Sequence, residues 1–140
     1  MSRFPFLRLA HCLILLRVTV AGLLMAHAAV RVVGGTVPRF GGFLESQGLP
    51  MGVALVWLIT AVELGGGLLM LLGIFTRWVA LVFFLLIGTG ILLIHAANGW
   101  FVGEHGTGGM EYSVLLLVAL LLIAAADQSR AAELPSPQKQ

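Results

Sequence analysis

Charge is what this chain of 140 residues has least of: Lys, Arg, Asp and Glu together make up 10% of it, against 59% apolar residues. Water-soluble domains carry ~25% charged residues, so a surface this poor in charge excludes an ordinary soluble fold and calls for lipid as solvent. Cysteine is nearly absent too. Cys12 alone excludes an intrachain disulfide and thiol exchange of the CxxC type. The 8 Lys and Arg residues are scattered rather than clustered, which excludes nucleic acid as a partner. The sequence also has no internal repeat, P-loop or dinucleotide fingerprint, so any redox chemistry relies on a bound carrier or a partner protein.

What the chain does have is four long apolar runs, at about residues 10–33, 51–73, 78–97 and 111–126. At ~20 apolar residues per crossing, these predict an all-α integral membrane protein, an antiparallel four-helix bundle occupying residues 1–127. The polar stretch 128–140, with Pro135 and Pro137, reads as a disordered tail. An even number of crossings puts both termini on one side. Arg3, Arg8, Arg77, Arg130 and Lys139 gather at that side, while the opposite one has only Arg39, with Arg31 just before it. By the positive-inside rule this is a multi-pass protein of the inner (plasma) membrane with both termini cytoplasmic. The first run ends in Ala26-His27-Ala28, a signal-cleavage-like pattern, but Arg17 interrupts its apolar core, so the segment reads as retained.

The two outer connectors differ. Residues 34–50 are rich in Gly and interleave Phe40, Phe43 and Leu44, which suits a short amphipathic piece at the interface that could act as a lid. Residues 98–110 combine turn glycines with Trp100 and Phe101, an aromatic pair at interface level. Phe83, Phe84 and Trp57 read as packing or lipid-facing side chains, and Gly88 and Gly90 as sites of close helix contact.

Ionisable groups inside a membrane are expensive unless paired or facing a cavity. Arg17 and Glu63 are the two that fall within the spans. At ~1.5 Å per residue from the helix ends, Arg17 sits ~10 Å and Glu63 ~15 Å deep, which predicts an Arg17–Glu63 ion pair. Such a pair either fixes the helix packing or holds a carboxylate that handles protons. Thr60, Gly66 and Gly67 flank Glu63 and direct it into the bundle.

A second polar group gathers at the outer level. His27 and His95 lie ~25 Å up their helices, Glu111 opens the last helix, and Glu104 and His105 occupy the loop between. Arg17, His27 and Arg31 share one sector of the first helix. Three chemistries compete for this level. A quinone head group suits His27, His95 and Glu111, which offer hydrogen bonds and proton exchange beside an apolar passage. A metal ion suits His27, His95, His105 and Glu111, although their spacing matches no strong metal signature. Bis-histidine haem through His27 and His95 is the third. Each residue also has an ordinary role, as an interfacial histidine, a solvated loop residue or a helix-opening carboxylate.

The run Val62-Glu63-Leu64-Gly65-Gly66-Gly67-Leu68, the turn Leu72-Gly73-Ile74-Phe75-Thr76-Arg77, Leu16-Arg17-Val18, His95 and Glu111 together resemble the DoxX family over about residues 10–127. The resemblance implies a small four-helix membrane protein related to the DoxD subunit of thiosulfate:quinone oxidoreductase. It also implies a role beside protein partners in a membrane redox complex, with Arg17, Glu63, His95 and Glu111 as the residues carried over. The functional expectation is quinone-linked redox chemistry with Glu63, His95 and Glu111 as the active groups. A non-catalytic accessory or assembly subunit of a larger membrane complex is the alternative.

Overall fold

The computed structural model describes residues 7–103 and 108–133, with backbone alone for 129–133. Five α-helices form in chain order: α1 Leu9–Val33, α2 Val37–Ser46, α3 Gly52–Leu72, α4 Thr76–Gly90 and α5 Glu111–Glu133. α4 continues without a break through a π-helical turn, Ile91–His95, and a 3-10 turn, Ala96–Asn98. Four helical segments are long and apolar enough to cross a membrane: Leu9–Val33, Gly52–Leu72, Thr76–Asn98 and Glu111–Gln128. This is a multi-pass membrane protein. α5 stays helical through Gln128 to Glu133, into the stretch expected to be a disordered tail.

α1 packs on α3 and α4 on α5, and contacts between α1 and α5 and between α3 and α4 close the four into an antiparallel bundle. On α1 the buried residues Val20, Ala21, Leu24, Ala28 and Arg31 draw one stripe down the helix, spaced mostly at three- and four-residue intervals. That stripe meets Met70, Val79, Phe83, Leu120 and Ile123 in the main core. Most other large apolar side chains face outward, among them Leu58, Leu85, Leu92 and Leu115, as lipid contact requires.

The three consecutive glycines of α3 are not equivalent. A Cβ on Gly66 would press on the ring of Phe83, and one on Gly67 on the side chain of Met25, whereas Gly65 faces open space. Gly66 thus lets α4 approach and Gly67 lets α1 approach. Gly88 and Gly90, expected to permit close helix contact, have nothing near them. They precede the π-helical turn that carries His95.

α2 is the short amphipathic element in the connector between α1 and α3. Its Val37 and Leu44 pack with Val56 in a second, smaller core. Gly41 and Gly52 bring the backbones of α2 and α3 so close that neither has room for a Cβ. Glu45 then accepts a hydrogen bond from the Gly52 N–H at 2.9 Å, capping α3 with a side chain from α2.

At the end of the bundle that carries the termini, α3 closes in a Schellman turn. Gly73 is left-handed (φ 74°), with Gly73 N–H bonded to Met70 O and Ile74 N–H to Leu69 O. Only Ile74 and Phe75 separate that glycine from α4.

Candidate functional site

Glu63 meets Arg31, not Arg17. The Arg31 guanidinium reaches both carboxylate oxygens, Nη1 to Oε2 at 2.6 Å and Nη2 to Oε1 at 3.3 Å. Nη1 also donates to Thr60 Oγ1 at 3.0 Å, and the Thr60 hydroxyl donates to Val56 O at 2.7 Å. Arg31, Thr60 and Glu63 are all buried. Phe40 of α2 lies against the guanidinium, its ring centroid 5.5 Å from Cζ, so α2 covers the pair from the end of the bundle opposite the termini. Among the described residues this is the one ion pair.

The expected Arg17–Glu63 pair fails on register. Arg17 lies beside Gly73, where its Nη1 is 2.8 Å from the position a Cβ would take, and Gly67 lies beside Ala21 and Met25. Glu63 is ten residues above Gly73, ~15 Å along the helix and beyond an arginine's reach. The first turns of α1 overhang the end of α3, and that offset brings Arg31 to Glu63. Sequence reasoning misses Arg31 because it looks like a charge flanking a span. Two signals point to it: it shares a face with Arg17, and helical side chains lean toward the helix N-terminus, which here is inward.

His95 and Glu111 come together through one loop. His95 Nδ1 lies 3.3 Å from Gly108 O, and Glu111 Oε1 accepts from Val102 N–H at 2.9 Å. Val102 and Gly108 are themselves joined by an antiparallel bridge, so the two side chains hold opposite sides of the same closure. Met110 N–H to Gly99 O and Glu111 N–H to Trp100 O tighten it. Only glycine fits at position 109, since a Cβ there would meet the carbonyls of Trp100 and Phe101. A carbonyl only accepts, so Nδ1 bears the proton in this contact, and in the neutral ring Nε2 is then the acceptor. Glu111 keeps Oε2.

An apolar cleft of about 340 Å³, lined by Phe40, Phe43 and Ile94 with Thr36 and Arg39 at its edge, lies between α2 and the π-helical turn. His95 is the next residue along that turn. His27 is exposed on α1, and among the described residues no hydrogen bond ties it to His95 or Glu111. Glu104 and His105 lie outside the described residues. Among the described residues, no group of three or more His, Cys, Asp or Glu side chains is placed to hold a metal ion.

Compared with known proteins, the chain matches the DoxX family model over residues 12–96, a stretch that runs from α1 through the π-helical turn and includes Arg17, Arg31, Glu63 and His95. No curated protein and no solved structure matches the chain.

Proposed function

The chain belongs to the DoxX family, and from that premise we propose that it serves as a subunit of a membrane oxidoreductase exchanging protons with quinone. In this reading it sits in the plasma (inner) membrane with both termini cytoplasmic. The observation that supports it best is the apolar cleft against the π-helical turn, one residue along the chain from His95. Phe40, Phe43 and Ile94 offer an apolar seat for a ring, and His95 and Glu111, held on the same loop, each keep one acceptor atom for a hydroxyl of the reduced head group. Oxidation of a hydroquinone there sends its two protons to His95 Nε2 and Glu111 Oε2, and its two electrons to a redox centre in a partner subunit. Reduction runs the same transfers backwards. Glu63 takes no part, because both its oxygens are engaged by Arg31. His27 stands apart as an exposed residue of α1.

Purification of the full chain in a mild detergent, with quinone extraction and identification of co-purifying proteins, tests this. Stoichiometric quinone that is lost in His95→Ala and Glu111→Gln supports the reading. A stable partner complex without quinone supports the accessory-subunit reading instead. That second reading has its own observation, since one polar atom of His95 and one of Glu111 already tie the loop backbone. In that case both substitutions change assembly and leave the complex's turnover per assembled unit unchanged.

A further inference from the structure

A second cleft, of about 410 Å³, opens at the other end of the bundle, between α1, the start of α4 and α5. Its polar lining is Arg17, His11, Thr76 and Asp127, and its apolar wall includes Leu13, Ile14 and Ile123. Arg17 Nε and Thr76 Oγ1 are, among the described residues, the two buried side-chain polar atoms without a hydrogen-bond partner. Thr76 is buried in the wall of that cleft, and its hydroxyl has no partner among the described residues.

The charges are unbalanced in an informative way. Asp127 accepts from the Arg77 N–H at 3.2 Å and so caps the first turn of α4, where a carboxylate also meets the positive end of the helix dipole. Arg17 has no carboxylate within ion-pair distance among the described residues. A partly buried guanidinium without a carboxylate partner favours an anion beside it. The depth is marked by the two residues after Thr76: Arg77 stacks over the exposed Trp78, Cζ 5.0 Å from the ring centroid, the arrangement of an interfacial anchor at head-group level.

We propose that this cleft binds an anionic amphiphile from the adjacent leaflet. An oxyanion accepts hydrogen bonds from Arg17 Nε–H and Thr76 Oγ1–H, and the acyl chain lies along Leu13, Ile14 and Ile123. Lipid phosphate and fatty carboxylate share this chemistry. The site is separate from the quinone reading, at the opposite end of the bundle, and stands or falls without it.

The test is native mass spectrometry of the delipidated full chain, titrated separately with phosphatidylglycerol, phosphatidylcholine, oleate and inorganic phosphate. Phosphatidylglycerol or oleate is expected to bind about tenfold tighter than phosphatidylcholine or phosphate, and the tighter of the two identifies the source. Arg17→Gln is expected to weaken that binding about tenfold and Thr76→Val several-fold. Equal binding of all four probes overturns the proposal, as does inorganic phosphate binding as tightly as the lipids. Should Arg17→Gln not fold, Thr76→Val, which exchanges one hydroxyl for a methyl group, decides: unchanged affinity there also overturns it.

Discussion

Arg31 and Glu63 face each other across the α1–α3 seam through both oxygens of the carboxylate, with Thr60 hydrogen-bonded to the same guanidinium nitrogen. The three groups satisfy one another in the buried interior of the bundle. Their arrangement fixes the axial offset of α1 against α3, because sliding either helix by one turn, ~5.4 Å, would separate the charges.

Removing one partner therefore costs more than removing both. Glu63→Gln and Arg31→Met each are expected to destabilise the fold by about 3–5 kcal/mol by leaving an unpaired buried group, whereas the double replacement Arg31→Met/Glu63→Leu recovers most of that loss. Unfolding of the purified variants in mixed micelles measures it. A double variant no more stable than the singles would show that the pair does not act as a unit.

The glycine run of α3 yields a graded series. Gly66→Ala places a Cβ about 2.9 Å from the Phe83 ring, which is fully buried and has nowhere to move, so a loss of about 1–3 kcal/mol is expected. Gly65→Ala meets nothing and gains helix propensity, and is expected to be neutral or stabilising by up to ~1 kcal/mol. Parallel thermal melts compare them, and equal effects at the two positions would contradict the packing described.

Glu45 ties α2 to the start of α3 through the Gly52 N–H. Glu45→Ala removes that cap, for which about 0.5–2 kcal/mol is typical. The readout is local: amide exchange should quicken in α2 and the first turn of α3 while α4 and α5 keep their protection. Uniform acceleration across the bundle would argue against a local role.

Gly109 is the position on which the loop that holds His95 and Glu111 depends. Gly109→Ala drives a Cβ into the carbonyls of Trp100 and Phe101 and forces the loop open. Quinone retention should then fall as it does in His95→Ala, although neither acceptor has been touched. Retention at the wild-type level in Gly109→Ala would detach quinone binding from the loop's geometry.

The four crossings are legible in the sequence because lipid demands long apolar runs and nothing else in a protein this short produces them. The connector bearing Phe40, Phe43 and Leu44 is legible as an amphipathic piece, although its close seat on α3 through Gly41 and Gly52 is not. Partner choice inside the bundle is hidden. Counting residues from helix ends assumes that the ends are level, and α1 overhangs α3. An error of that kind moves a guanidinium by about two turns without changing any periodicity, so the count pairs Arg17 with Glu63 and leaves Arg31 as a flanking charge. The same counting does place His95 and Glu111 at one level. What brings them onto one loop is the closure of Val102 on Gly108, which leaves no trace in hydropathy.

The separation of Arg31 and Glu63 along the chain, 32 residues, also has a meaning in time. Synthesis proceeds from the N-terminus at ~5–20 residues per second, so the guanidinium emerges roughly 2–6 s before the carboxylate that neutralises it. Through that interval the nascent first helix holds an uncompensated cation near its trailing end. The charge balance shared by the first two crossings is therefore completed only once both have been made.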